Sequence, residues 1–491
     1  MKRQVFGVVA ACLCAVSLLF HGIPASAEVI HETELEDYIL KQMGNAHILG
    51  MNVAVVNAEK ELYCAAFGQI QMTEADFCLA SVSQSITASA VMHMVEDEEI
   101  ALGNTVGEYL PEYDAVSDIT VEELLTHTSG ILPQETMADL KRLGKRGEFH
   151  QANANYNLLG EIIEKISGES FEEYVSDNIF DPLEMTSTYS LKHANDFDGE
   201  LVRGYEDYYG IPTIRHLTYD EKDKWIGSAS GYMISDIKDM GLYMQMLLNN
   251  GGDVLSQSSI EKMLQTNIDA TTDKATNRYL TEGGAKYGMG MASKEIDGQQ
   301  VYYNTGSVEC FNSTMMILPE KGIGIILMYN SSDPDVGNDL IRQLERGVLA
   351  IEMEQKPAPV EDTYYQVHGV IDGIAVGIIL LSWLPIFMMG FWCKRRRNHV
   401  FSIPGILIDF LIHILLPIGI VIGAIQLLPM DFVKRYWTDL YYIGIVTIAS
   451  LAFGLLIKII YMIVYAILGP EAEEDTAPEE STTNEPEENK S

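Results

Sequence analysis

Basic residues are scarce in this chain. Lys and Arg number 32 against 70 Asp and Glu, a formal net charge of −38. That balance excludes a nucleic-acid partner, because holding a phosphate backbone needs clustered cations. Cysteine is sparse too, and six in 491 residues cannot build a disulfide scaffold. Their spacing fits no zinc pattern, no glycine-rich phosphate loop appears, and no internal repeat is found. Neither a metal nor a cofactor is expected. What the chain has in quantity is apolar sequence, 47% of residues, which excludes a disordered polymer. Those residues cluster in blocks, so an acidic domain plus membrane-embedded sequence is expected. The length allows about three domains at ~150 residues each.

The beginning of the chain reads as a secretory signal over residues 1–27. Lys2 and Arg3 precede an apolar stretch from Val5 to Phe20, and Ala25-Ser26-Ala27 offers a small-residue cleavage site. Cys12 and Cys14 fall inside it, leaving Cys64, Cys78, Cys310 and Cys393, whose disulfide state the spacing does not fix. Near the other end, Gly373–Trp392, Ile403–Leu428 and Leu440–Leu468 each reach the ~20 apolar residues of a membrane helix. Lys394-Arg395-Arg396-Arg397, between the first two, marks a cytoplasmic loop by the positive-inside rule. The expected order is therefore an extracytoplasmic domain over 28–365, a three-helix transmembrane region over 366–468, and an acidic, disordered cytoplasmic tail over 469–491. Asp409 and His413 share a face of the second span. Lys458 lies at similar depth in the third, so either the two form an intramembrane Asp409–Lys458 pair or Lys458 snorkels to the interface and Asp409 is protonated or pairs elsewhere.

Within the ectodomain, strand-like runs sit at both ends. Met51–Asn57 and Glu61–Gly68 read as a hairpin; Gln299–Asn304, Ser313–Leu318 and Gly322–Asn330 follow near the far end. The middle is helical in pattern, as in Tyr156–Ile166 and Lys238–Leu248. A sheet closed by the chain ends around a helical insertion is expected. The helix starting near Ser81 is apolar on most faces and should be central. Ser81 at its opening reads either as an N-cap or as a hydroxyl held in the positive field of unpaired N–H groups.

The segment Phe77-Cys78-Leu79-Ala80-Ser81-Val82-Ser83-Gln84 resembles the nucleophile segment of the serine β-lactamase and DD-peptidase family. Glu123-Leu124-Leu125-Thr126-His127-Thr128-Ser129-Gly130 matches a turn of that family. So do Asn155-Tyr156-Asn157-Leu158-Leu159-Gly160, Ala229-Ser230-Gly231-Tyr232 and Tyr287-Gly288-Met289-Gly290, in the family's order. The resemblance implies an α/β (α+β) β-lactamase/transpeptidase-like fold, an antiparallel sheet with a helical subdomain. With its C-terminal spans the chain also resembles membrane-bound prodrug-activating peptidases.

The chemistry implied by the resemblance is acyl transfer. A serine attacks a carbonyl, a lysine one helical turn later helps remove its proton, and a tyrosine of a Y-x-N motif acts as base and acid. Backbone N–H groups form the oxyanion hole beside a K-T-G or H-x-G strand. Carried onto this sequence, the nucleophile is Ser81, but the lysine position is Gln84. The Y-x-N position reads Gln151-Ala152-Asn153, and the strand motif reads Asn304-Thr305-Gly306, with Ser307 supplying the second oxyanion N–H. All three ionisable positions are neutral amides. An amide moves no proton near pH 7, and general acid–base catalysis supplies roughly 10²–10⁴-fold. Tyr156, His127 and Glu309 are weaker candidates for a replacement base.

The expected function is a membrane-anchored, catalytically degenerate protein of this fold. It binds a peptide, a cell-wall fragment or a membrane-protein partner on the extracytoplasmic side of the cell membrane. The alternatives are an active serine acyl-hydrolase or peptidase with a non-standard base, and a membrane interaction protein whose helical bundle is the working part.

Overall fold

The computed structural model describes residues 31–468, apart from 197–200, 218, 220–224, 275, 277–278, 281–282, 397–402, 417–418, 420–421 and 423–437. The expected signal (1–27), with Cys12 and Cys14, Arg397 of the basic cluster, and the acidic tail (469–491) lie outside the described residues. The chain forms two compact units, one holding 1–372 with 431–438 and the other 373–430 with 439–491.

The first unit is built on an eight-stranded antiparallel sheet. Its strands are β1 (Gly50–Asn57), β2 (Glu61–Gly68), β3 (Ile268–Asp269), β4 (Lys286–Tyr287), β5 (Ala292–Ile296), β6 (Gln299–Val308), β7 (Phe311–Leu318) and β8 (Ile323–Tyr329), in the order β2-β1-β8-β7-β6-β5-β4-β3. The first hairpin pairs with the last strand, Met51 opposite Tyr329 and Asn57 opposite Ile323, as strands at both ends of the domain predict. β6 runs four residues beyond the expected Gln299–Asn304, so the Asn304-Thr305-Gly306 motif lies inside a strand paired with β7.

Residues alternate across β1 and β8, as the pleat requires. Val53, Val55, Ile325 and Leu327 pack with α1 (Glu32–Gln42) and α5 (Gly337–Glu352), through Leu35, Ile39, Leu340 and Leu344. Ala54, Val56, Ile326 and Met328 face the larger core, which includes Met240 and Met244 of α4 (Ile237–Leu248). The helical subdomain carries α2 (Ser83–Glu96) and α3 (Asn153–Ser167). Eleven of the fourteen α2 residues are buried, which is why its sequence is apolar almost all round. Short helices here begin on reciprocal capping boxes, Thr105 with Glu108, Thr120 with Glu123 and Ser170 with Glu173.

A separate hairpin, Gly204–Tyr208 with Ile211–Arg215, takes Ser331–Ser332 as a third, parallel strand. The helix Tyr364–Phe387 begins in this unit and continues into the second. Tyr38 of α1 donates its hydroxyl to the Ala358 carbonyl, and the Val360 N–H reaches Gln42 Oε1 at 2.9 Å. The two chain ends of the domain are thereby tied together.

Among the described residues, two helical stretches are long and apolar enough to cross a membrane, Tyr364–Lys394 and Tyr441–Leu468. Three were expected. The middle stretch is a helix over Ile403–Phe410 and a π turn over Leu411–Leu415. That falls short of the ~20 residues a crossing needs, and most of its remainder lies outside the described residues. Of the two readings for Asp409 and Lys458, the pair is the one present within the second unit: Lys458 Nζ lies 2.8 Å from Asp409 Oδ1, both side chains largely buried. The ammonium also sits 5.3 Å from the Trp392 ring centre. The His413 side chain is outside the described residues.

Candidate active site

Ser81 lies in a 3₁₀ turn, Ala80–Val82, immediately before α2. The turn's first internal bond is Val82 N–H to the Leu79 carbonyl at 3.1 Å, so it does not use the Ser81 N–H. Neither this turn nor α2 has a side-chain cap, so Ser81 is not the N-cap its position suggests. Its side chain instead lines a cleft of about 320 Å³. The preceding Ala80 is fully buried with φ +47°, a left-handed conformation that a side-chain-bearing residue adopts only under strong local constraint.

The constraint is β6. A Cβ added to Gly306 would stand 2.5 Å from the Ser81 nitrogen and 2.6 Å from Ala80 Cβ. Only glycine lets the strand come so close. Behind the strand Ser313 donates its hydroxyl to the Leu79 carbonyl, and Asn304 Nδ2 reaches the Ser81 carbonyl at 3.3 Å and the Gly290 carbonyl at 2.7 Å. The Ser81 turn is clamped against a strand edge whose next residues, Thr305, Gly306 and Ser307, line the same cleft.

The eight residues assigned from the sequence divide into two groups. Ser81, Gln151, Asn153, Thr305, Gly306 and Ser307 line the cleft together. Gln84 and Asn304 do not. Asn304 is buried and braces the serine turn. Gln84 is fully buried behind it, donating from Nε2 to the Ser230 carbonyl (3.2 Å) and accepting at Oε1 from His127 Nε2 (3.1 Å).

The tautomer of His127 follows from its neighbours. Nδ1 faces the Asn155 amide nitrogen at 2.9 Å and the Ala152 N–H at 3.4 Å. Two donors at Nδ1 leave the ring hydrogen on Nε2, where it is given to Gln84. Asn155 Oδ1 in turn accepts from the Ser129 hydroxyl at 2.7 Å. His127 is fully buried among the rings of Phe149, Tyr156 and Tyr287, and desolvation holds its pKa down to about 3. The network is satisfied and carries no charge at neutral pH. His127 also forms the backbone bend expected of it, with φ +56°.

The other candidate bases are occupied elsewhere. Tyr156 donates its hydroxyl to the Leu125 carbonyl at 2.8 Å, and Glu309 accepts from the Tyr232 hydroxyl at 3.1 Å. Among the described residues no side chain lies within hydrogen-bond distance of the Ser81 hydroxyl.

Sequence reasoning missed the opposite wall. Asn338, Ile341, Arg342 and Glu345 of α5 face the cleft, with Asp273 and Asn312 beside them. The signal was present: 338, 341, 342 and 345 follow the i, i+3, i+4, i+7 spacing of one helix face. Burial raises the Glu345 pKa, with contacts to Thr314 and Tyr279 opposing it. Arg342 is engaged by Asp339 at 2.9 Å. Among the described residues no cluster of His, Cys, Asp and Glu has the geometry to hold a metal ion.

Residues 35–349 match the family model described as Beta-lactamase. Protein flp of Staphylococcus aureus strain N315 is 21% identical over 384 residues, covering 72% of this chain and 74% of its own. The octameric penicillin-binding protein homologue from Pyrococcus abyssi superposes with a TM-score of 0.58 at 26% identity, over 68% of this chain and 80% of that one. The D-amino acid amidase from Ochrobactrum anthropi SV3 shares the fold at a TM-score of 0.53 and 19% identity, over 66% of this chain and 96% of its own. From its first helix through most of the cleft-wall helix, this chain belongs to the Beta-lactamase family.

Proposed function

We propose that this protein is a membrane-anchored member of the family whose cleft binds an acyl, peptide or cell-wall-derived ligand, or a partner protein, without turning it over. The observation that carries the reading is the placement of Gln84. An amide stands one helical turn after Ser81, fixed at both ends by Ser230 and by a neutral His127. An unactivated hydroxyl is a weak nucleophile, and backbone donors with binding alone are worth ~10³-fold over water. Ser81, Thr305, Gly306 and Ser307 keep the shape of an acyl-binding cleft while the proton acceptor is gone. The two apolar helices support anchoring, and the apolar blocks with the basic cluster support a multi-pass arrangement with the main domain extracytoplasmic.

The test is covalent labelling. Full-length protein in detergent is treated with a fluorophosphonate or a fluorescent penicillin, and the Ser81 peptide is read by mass spectrometry. Labelling is expected to be at background, with reversible binding of acyl-peptide ligands retained. Rapid modification that disappears in Ser81→Ala overturns the reading. It would favour a second one, a slow hydrolase, for which Asp273 and Glu345 are the carboxyl groups available in the same cleft.

A further inference from the structure

Asp333 follows the short strand Ser331–Ser332 and is 4% exposed. Its Oδ2 meets two elements at once. The Gly337 N–H at the start of α5 reaches it at 2.8 Å, and His368 Nε2 lies 2.9 Å away. His368 is 3% exposed and belongs to the second turn of Tyr364–Phe387, the helix that continues into the apolar stretch Tyr364–Lys394. Tyr364, one turn before it, stacks on His47 with ring centres 3.5 Å apart. A Cβ at Gly337 would stand 2.7 Å from Asp333 Cβ, so the aspartate and the helix start are in direct contact.

From Asp333 the contacts run on to the cleft. The Asp333 N–H donates to Asn338 Oδ1 at 3.1 Å, and the Asn338 N–H returns to the Asp333 carbonyl at 2.8 Å. Asn338 Nδ2 then donates to Ser307 Oγ at 3.2 Å, while its Oδ1 also accepts from Asn312 Nδ2 at 2.9 Å. Ser307, Asn312 and Asn338 all line the cleft that holds Ser81. Four residues thus connect the helix that leaves the domain to the strand edge beside the serine.

We propose that His368 and Asp333 are positioning residues that couple the seating of the membrane-directed helix to the cleft edge at Ser307, through Asn338. Helix ends and short strands are rigid pieces joined here by hydrogen bonds, with Ser332 Oγ bonded to both Asn338 and Ser307 beside the main path, and energetic coupling is carried by such contiguous networks. Release of His368 takes away one of the two hydrogen bonds on Asp333 Oδ2, leaves the carboxylate held only by backbone N–H groups, loosens the start of α5, and lets Asn338 leave Ser307. The cleft then widens at its strand edge. This goes beyond the proposed function, since it concerns the shape of the cleft and holds whether the site binds or turns over.

The experiment is amide hydrogen exchange on the full-length protein in detergent micelles. His368→Leu removes the donor while keeping an apolar side chain; His368→Gln keeps a donor. In His368→Leu, exchange over residues 305–312 and 337–342 is expected to rise about tenfold, and His368→Gln is expected within about twofold of the native protein. Exchange over α3 should stay unchanged, which separates coupling from general loss of stability. The His368→Leu and Asn338→Ala effects at 305–308 should be non-additive, since they cut one path. Unchanged exchange at 305–312, a rise spread equally over α3, or additive effects each overturn the proposal. Should His368→Leu not accumulate, Asn338→Ala alone decides: faster exchange at 305–308 together with faster exchange at 364–372 supports it, since coupling is reciprocal, and an unaltered 364–372 sinks it. Ser81 labelling is not the readout, so failure here is distinct from failure of the binding reading.

Discussion

Behind Ser81 the chain buries amides and a neutral imidazole; between its apolar helices it buries Lys458 against Asp409. The first arrangement passes from donor to acceptor through neutral groups: Asn155 to His127, His127 to Gln84, Gln84 to Ser230. The second holds two opposite ionisable groups at 2.8 Å. Hydrogen-bonded neutral groups sit in a dry interior at small net cost, whereas an ion pair there survives only while both partners remain. The contrast sets a neutral, fully hydrogen-bonded interior against a charged one. A nucleophile can be shaped by neutral groups, but it cannot be deprotonated by them.

The contrast can be broken most sharply in the helices. Lys458→Met removes the ammonium beside Asp409 and should cost about 3–5 kcal/mol, read as a lowered unfolding midpoint in detergent. The double variant Asp409→Asn/Lys458→Met should return to near the native value. A single variant as stable as the native protein would mean that the pair is solvated. Next comes the amide network. Gln84→Leu leaves the His127 Nε2–H and the Ser230 carbonyl without their partner, at about 1–3 kcal/mol each; denaturant unfolding of the full chain measures the sum. A loss below 1 kcal/mol would show that water replaces the amide.

Smaller effects refine the picture. Gly306→Ala puts a methyl 2.5 Å from the Ser81 nitrogen, and overpacking of that kind costs about 1–3 kcal/mol. Weakened ligand binding should accompany it; unaltered binding would mean that the strand can retreat. The smallest change tests a lone buried carboxyl. Glu352 is 5% exposed, its Oε1 has no partner among the described residues, and burial raises its pKa to about 7, opposed by His31 and Lys321. In the unfolded chain the group titrates near ~4.3, so between the two values the folded state holds the extra proton. Stability therefore falls as pH rises from about 4 to about 7 and stays reduced above. Glu352→Gln should remove that slope, gaining roughly 2–3 kcal/mol at pH 8 relative to its effect at pH 5. An unchanged slope would show that Glu352 ionises without penalty.

Much of the fold was legible because period and position agreed. The alternation in Val53, Ala54, Val55 and Val56 fits a strand buried on both faces, and an apolar helix opening on Ser81 could only be central. The site was legible as an ordered series of motifs, with its residues at the cleft or directly behind it. Direction was not legible. A motif position does not say that Asn304 turns away from the cleft to brace a turn, because that depends on how close Gly306 lets two backbones approach. Nor did it say that Gln84 answers to His127, since the pairing joins segments far apart in sequence. The α5 wall hid for a different reason: its polar stripe reads as the solvent face of an ordinary amphipathic helix until β7 is set against it.

The pairing of β1 with β8 has a cost in time. The first hairpin leaves the ribosome almost a whole domain ahead of the strand that covers its open edge, Met51 waiting for Tyr329. Contacts so distant in sequence form late, and an unpaired edge invites association with other chains meanwhile. Until that strand arrives the polypeptide should depend on holding factors, and its nascent form should be the stage most easily lost to proteases.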